Sequence, residues 1–272
     1  MLIDTHCHLD APEFAADRAA VADAAREAGV AAIVIPAIAP MNFDTVRTLA
    51  TQVQGGAYAL GIHPLFVSEV QDDAIDVLRT AVRAAMDDPR FVAIGEIGLD
   101  LFVKAIASGE ALARQERFLA AQLRIAAEFD LPVLLHVRRS QDLVYKHVRQ
   151  VPVAGGIAHA FNGSEQQADR FLAQGLALGV GGAMTFTRAL QIRRHAERVG
   201  LEHLVLETDA PDIPPAWLDG ARPRNAPGEV AGIAQALAEL RGDTVETVVR
   251  ATGETACRQL PRLASLLQQG QG

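Results

Sequence analysis

Two histidines separated by a single residue, His6 and His8, are the first residues in the chain able to do chemistry together. In an extended segment residues two apart point to the same side, so both imidazoles face one ion while Cys7 faces away. Asp4 shares that side one layer below, where a carboxylate can orient a ligating imidazole. A lone H-x-H near a strand is a weak sign, and the other positions add the weight. Glu96 closes the apolar run Ala93-Ile94-Gly95-Glu96, His136 closes Val133–His136, and His159 closes Gly156–His159. Asp209 follows the run that ends at Thr208, and His63 follows Gly61-Ile62. Five of the eight histidines thus stand at or just past the end of a predicted strand, where random placement would put about one. Taken alone, a histidine such as His136 is better explained as a hydrogen-bonded core residue. Four such histidines with two carboxylates, if the fold gathers them, read as metal ligands. Imidazole and carboxylate donors suit Zn²⁺, Mn²⁺, Fe²⁺ or Co²⁺ better than an all-oxygen Mg²⁺ cage does.

The elements that must position these residues alternate. Short β-branched runs predict strands at Met1–His6, Ala31–Pro36, Ala57–Ile62, Val92–Glu96, Val133–His136, Gly156–His159, Ala177–Gly181 and His203–Thr208. Amphipathic stretches predict helices near 15–28, 41–53, 73–87, 110–129, 140–149, 165–174, 188–199, 227–240 and 244–257. Gln268 to Gly272 reads as a frayed tail. Eight strand–helix units predict an α/β fold, a (β/α)₈ TIM barrel with its active site at the C-terminal ends of the strands. A doubly wound open sheet also alternates, but eight units in 272 residues favour closure as one domain over 1–272. The loops 100–109 and 210–226, the second rich in proline, then lie above the strand ends.

Composition narrows the class. Half the residues are hydrophobic and the formal charge is −8, which argues against a nucleic-acid coat or a membrane-surface protein. Two cysteines, Cys7 and Cys257, are too few for a disulfide framework. No signal-like start and no apolar stretch long enough to span a bilayer are seen, so the expectation is a soluble cytoplasmic protein with no membrane and no obligate protein partner. His147, His195, His203, Cys257 and Trp217 fall away from the expected site and read as packing. Glu207, two residues before Asp209, reads as a partner of a ligand, a general base or a buried structural carboxylate.

Arginines gather on the expected active face: Arg138 and Arg139 after the fifth strand, Arg188 after the seventh, and Arg222 and Arg224 in the last long loop. Arginine forks suit phosphate oxygens. They read either as substrate contacts or as ordinary solvated charges and partners for Asp212 and Glu207. A few arginines on an acidic protein fit a strand end or a small phosphate ester better than a long duplex, which demands many phosphate contacts.

These blocks resemble the TatD family of metal-dependent deoxyribonucleases, a branch of the amidohydrolase-like barrels. The matching blocks are D-T-H-C-H at 4–8, G-I-H-P at 61–64, G-E-I-G-L-D at 95–100, L-P-V-L-L-H-V-R-R at 131–139, H-A-F-N-G-S at 159–164, G-V-G-G at 179–182, E-T-D-A-P at 207–211 and R-N-A-P at 224–227. They follow the family's order, and the continuation after Leu99 is similar to its YjjV-like branch. The resemblance implies two divalent ions (Zn, Mn or Mg), one held by His6, His8, Glu96 and Asp209, the other by Glu96, His136 and His159, with Glu96 bridging.

The expected function is phosphodiester hydrolysis, as a 3′-5′ exodeoxyribonuclease on single-stranded DNA ends. A hydroxide between the ions attacks phosphorus, Asp209 takes its proton, and His63 contacts a phosphate oxygen rather than an ion. Two other readings stand beside it. One is hydrolysis of a small ester, lactone or amide, which would tolerate loss of Arg139 and Arg224. The other is a non-catalytic, metal-stabilised binding barrel, which would lose its fold and no separate activity on metal removal.

Overall fold

The computed structural model describes residues 1–218 and 223–269. Eight strands lie parallel in chain order: β1 Leu2–Asp4, β2 Val30–Pro36, β3 Gly56–Leu60, β4 Phe91–Asp100, β5 Val133–Arg138, β6 Gly156–His159, β7 Leu176–Val180 and β8 Leu204–Leu206. Helices cover the outside, so most strand residues are buried on both faces; that is why the sequence shows continuous apolar runs instead of alternation. The expected barrel is therefore present, nearly closed.

Its seam joins β1 to β8, and both strands are shorter than the sequence suggested. Beyond them the seam continues as irregular backbone: Thr5 N donates to Leu206 O at 3.0 Å, Asp209 N to His6 O at 2.8 Å and His8 N to Ala210 O at 2.8 Å. The segment bearing His6 and His8 is thus stitched directly to the one bearing Asp209. By contrast β4 runs on to Asp100, well past the expected Glu96. Its pairing with β5 shifts register between Ile94 and Ile97 and resumes with Gly98 opposite His136 and Asp100 opposite Arg138. Gly98 has φ +154, and a Cβ there would run into the His136 carbonyl, so only glycine lets the strand continue this close to β5.

The helices are α1 Arg18–Glu27, α2 Phe43–Gln52, α3 Ala74–Ala85, α4 Gly109–Glu128, α5 Gln141–Val148, α6 Glu165–Ala173, α7 Leu190–Arg198, α8 Val230–Arg241, α9 Val245–Gln259 and α10 Pro261–Gln269. The expected helix at 15–28 starts later because a 3₁₀ turn, Pro12–Phe14, precedes it. The tenth helix corrects the expected tail at Gln268 and Gln269; residues 270–272 lie outside the described residues. Inside the barrel, Ile3, Ala32, Val34, Ala57, Ala59, Val92, Leu134, Ile157 and Val205 form one apolar cluster, and Leu260 and Leu263 join it from below. Each of those two leucines contributes about 2 kcal/mol by burial. Arg262 fixes α10 there, donating through Nη2 to Met86 O at 2.9 Å and Asp88 O at 2.8 Å. The N-terminal end of the barrel is thus sealed, and the chemistry lies at the other end. No helix of the described residues is long and apolar enough to cross a membrane.

Candidate metal centre

Glu96 sits at the middle of the open end, buried, and its two oxygens face two different sets of donors. Oε2 lies 3.1 Å from His6 Nε2 and 3.3 Å from His8 Nε2. Asp209 Oδ1 stands 3.7 Å and 3.8 Å from the same two nitrogens, which are themselves 3.3 Å apart. On the opposite side Glu96 Oε1 lies 2.8 Å from His136 Nδ1 and 3.4 Å from His63 Nε2. Ligands 2.0–2.2 Å from a common ion stand roughly 3 to 3.5 Å from one another. The described residues thus form two distinct donor clusters sharing one carboxylate, as a dinuclear divalent-metal centre requires.

The alternation in the first segment holds: His6 and His8 turn to the same side. Asp4 lies beneath them, but its partners correct the expectation. It accepts from the His6 backbone N–H at 3.2 Å, the Thr208 N–H at 2.9 Å and the Thr208 hydroxyl at 2.6 Å, and touches no imidazole. It fixes the strand seam, and burial pushes its carboxyl up to about 8.

Protonation follows from the partners. His136 Nε2 lies 3.1 Å from Asp100 Oδ2 and its Nδ1 2.8 Å from Glu96 Oε1, so both ring nitrogens face carboxylate oxygens, which favour the protonated ring against burial. His159 presents Nδ1 to Glu207 Oε1 at 3.0 Å and Nε2 to Asp209 Oδ2 at 3.5 Å. Glu207 thus lies beside His159 and also accepts from Ala160 N at 2.6 Å. His159 stacks on His6 with ring centroids 3.8 Å apart and clusters with His6 and Glu96, where the resemblance grouped it with His136. His63 caps the 3₁₀ turn Pro64–Phe66, its Nδ1 accepting from Leu65 N at 3.2 Å. A neutral ring that accepts at Nδ1 carries its proton on Nε2 and is a donor there. Burial holds His63 down to about 4, so it is neutral at pH 7. His63 lies in the second cluster, but its protonation suits it to donate to an oxygen.

The electrostatics are those of a cation site. Burial alone would raise the Glu96 carboxyl; its electrostatic coupling to the imidazoles of His63 and His6 and its hydrogen bonds with His136 and His6 hold it well below the usual carboxylate range. Asp209 is likewise opposed by burial but brought to about 2 by His159, His6 and His8. His8, despite burial, is pushed up to about 9 by Glu96 and Asp209. An ion entering the first cluster must displace that proton.

Close packing explains the glycines of the G-V-G-G block. A Cβ on Gly179 would collide with the Glu207 carboxylate, and one on Gly182 with the Ile213 carbonyl. Gly179→Ala is expected to cost about 2 kcal/mol by overpacking, seen as a fall of about 6 °C in Tm. A Tm within a degree of the parent's would mean that Glu207 swings away freely. The R-N-A-P block works through Asn225, whose Nδ2 donates to Thr208 O and Asp212 O, each at 2.8 Å, tying the last loop to the strand that leads to Asp209. Arg139, Ala160 and Asp209, which follow β5, β6 and β8, all take left-handed backbone with φ of 56°, 42° and 59°. Such positions cost on the order of 1–3 kcal/mol each and cluster at functional sites.

The arginines divide. Arg138 and Arg139 are exposed and lie over the Phe102 ring, at 3.9 Å and 4.7 Å from its centroid. Arg188 is exposed beside Phe186. Arg224 is engaged elsewhere: its two Nη atoms grip Asp17 at 2.8 Å and 2.7 Å, and Nη1 also donates to Glu13 O. Its partner is neither Asp212 nor Glu207, and the fork it was expected to offer a substrate is already filled. Arg222 lies outside the described residues. Of the remaining residues read as packing, His147 pairs with Glu116 at 3.0 Å and His195 with Gly163 O at 2.6 Å. Trp217, expected to be packed away, is 43% exposed.

Three residues escaped the sequence reading. Asp100 orients His136 and is held at about 2, against burial, by that hydrogen bond. Its spacing of four from Glu96 along a strand was the available signal. Gln115 and Gln122, buried on α4, hold the ends of β4 and β3: Gln115 Oε1 accepts from Asp100 N at 2.9 Å and Gln122 Oε1 from Ile62 N at 2.7 Å. Two glutamines seven apart on an apolar helix face were the clue.

The chain is similar to known proteins over nearly its whole length. The family model described as TatD related DNase matches residues 3–261. An uncharacterized metal-dependent hydrolase, YjjV, of Escherichia coli (strain K12) is 39% identical over 92% of this chain and 93% of its own. A 3'-5' ssDNA/RNA exonuclease TatD of Yersinia pseudotuberculosis is 34% identical over 94% of this chain and 98% of its own. The crystal structure of the Escherichia coli YjjV protein superposes with a TM-score of 0.88 at 36% identity, covering 96% of this chain and 98% of that one.

Proposed function

Since the chain belongs to the TatD family of metal-dependent hydrolases, in its YjjV-like branch, we propose that it trims single-stranded DNA from the 3′ end by phosphodiester hydrolysis. The observation that carries this reading is Glu96, with one oxygen in each of two donor clusters. His6, His8 and Asp209 would hold one ion with Glu96. His136 would hold the other on the far side of Glu96, and His159, beside Asp209, completes the set. When bound, two such ions neutralise phosphoryl charge and lower the pKa of a water.

The chain's own residues do the rest. The neutral His63, a donor at Nε2, binds a non-bridging phosphate oxygen. Asp209, with one oxygen toward His8 and the other toward His159, accepts a proton from the attacking water and returns it to the leaving oxygen. Glu96, kept ionised, holds the two clusters in register. Arg138, Arg139 and Arg188 bind phosphates of the strand, while Arg224 pins the last loop to Asp17. The exonuclease named among the relatives supports the polymer and the polarity.

The test is a short single strand labelled at its 5′ end, given to chelated protein restored with Mg²⁺, Mn²⁺ or Zn²⁺. Stepwise shortening that returns with the metal is expected. Arg139→Ala should raise KM about ten-fold, the worth of one charge-assisted contact, with kcat little changed. No shortening under any metal, with two ions still found by elemental analysis, would overturn the reading in favour of a small ester, lactone or amide.

A further inference from the structure

Of the described large apolar side chains that stay exposed, four lie after strand ends at the active end, in loops, in a turn or at a helix start: Met41, Phe102, Leu190 and Trp217. Phe102 differs from the others. It is 45% exposed, two guanidiniums lie against its ring, and its backbone is fastened to the metal centre. Asp100, whose Oδ2 holds His136, uses Oδ1 to accept from Phe102 N at 2.8 Å and Val103 N at 2.9 Å. Leu101 N donates to Arg138 O at 2.9 Å, so the loop after β4 stays bound to β5 where Arg138 and Arg139 emerge. One carboxylate thus sets both the imidazole at Glu96 and the position of an exposed aromatic ring.

A bare phosphate ester has no use for that ring. A half-exposed aromatic ring beside two cations suits a ligand that carries a flat π-system next to an anionic group, as an unpaired nucleotide does. We propose that Phe102, with Arg138 and Arg139, forms a stacking subsite for the base adjoining the scissile phosphate, and that this subsite makes unpaired nucleotides the preferred substrates. The base joins the Phe102–arginine stack and its phosphate meets a guanidinium edge. In a duplex the terminal base is stacked on its neighbour and its edge is paired, so a frayed or single-stranded end enters more readily. The proposal rests on the phosphodiesterase reading and deepens it by naming the residue that reads the base.

The test uses a tetranucleotide with hydrolysis-resistant phosphorothioate linkages and 2-aminopurine at its 3′ end, whose fluorescence falls on stacking. Metal-loaded protein should quench it, Phe102→Leu should not, and Phe102→Trp should restore quenching. In the turnover assay, Phe102→Leu should lose about ten-fold in kcat/KM on an ordinary strand. On a strand ending in an abasic residue it should match the parent. Equal quenching by the parent and Phe102→Leu would overturn the subsite. So would the absence of quenching in a protein that still shortens DNA, and that result leaves the exonuclease reading standing. If the parent neither shortens nor quenches, both fall. Because Phe102 is an exposed loop side chain, circular dichroism of Phe102→Leu should match the parent.

Discussion

Glu96→Gln is expected to lower kcat by at least about a thousand-fold, or ~4 kcal/mol of barrier, while the barrel stays folded. The substitution keeps shape and volume but replaces one of two anionic oxygens with an amide, a donor where the site needs an acceptor. One oxygen lies 2.8 Å from His136 Nδ1 and the other 3.1 Å from His6 Nε2, so whichever way the amide turns one of the two clusters loses its anionic oxygen. Elemental analysis should find the bound ions reduced from two to one or none. A variant that retains two ions and a tenth of the activity would show that Glu96 does not join the clusters.

Stripping the divalent ions is expected to lower Tm by about 10 °C without loss of far-ultraviolet circular dichroism. The ions bind the folded clusters and not the unfolded chain, so at a thousand times Kd they stabilise by about 4 kcal/mol. For a chain of this size each kcal/mol is worth about 2–4 °C. The sign with pH follows from His8, whose imidazole is pushed up to about 9 without an ion. Protons compete with the metal for it, so ion stabilisation grows as pH rises and shrinks as it falls. Differential scanning fluorimetry with and without chelator, followed by Zn²⁺ or Mn²⁺ add-back, measures both. A Tm unmoved by chelation would remove the ions from the folded state's energetics.

The barrel and the gathering of the donors were legible because one physical fact governs both. A strand buried on two faces reads as an unbroken apolar run, so a histidine or carboxylate that ends the run marks the strand's mouth. His6, His8, Glu96, His136, His159 and Asp209 all came into view this way. What stayed hidden depends on pairs distant in sequence or on backbone irregularity. Asp100 was taken for the start of a loop because nothing in the letters shows β4 carrying on through Gly98. Arg224 looked like a substrate arginine because Asp17 is brought to it only by folding. Asp4 was expected beneath an imidazole and lies there, but its hydrogen bonds go to Thr208, a partner known only once the seam closes. The helix α10 was missed because its polar end, Gln268 and Gln269, hid the stripe of Leu263, Leu266 and Leu267.

The floor that α10 lays under the barrel also sets an order of events during synthesis. Leu260, Leu263 and Arg262 leave the ribosome only after all eight strands have emerged. Until then the strands can gather, but the end of their apolar core opposite the metal ligands stays open to water. The nascent chain thus carries apolar surface uncovered for longest where Ile3, Val92 and Val205 await their cover. Chaperone capture of ribosome-bound intermediates should fall abruptly once α10 has emerged from the exit tunnel.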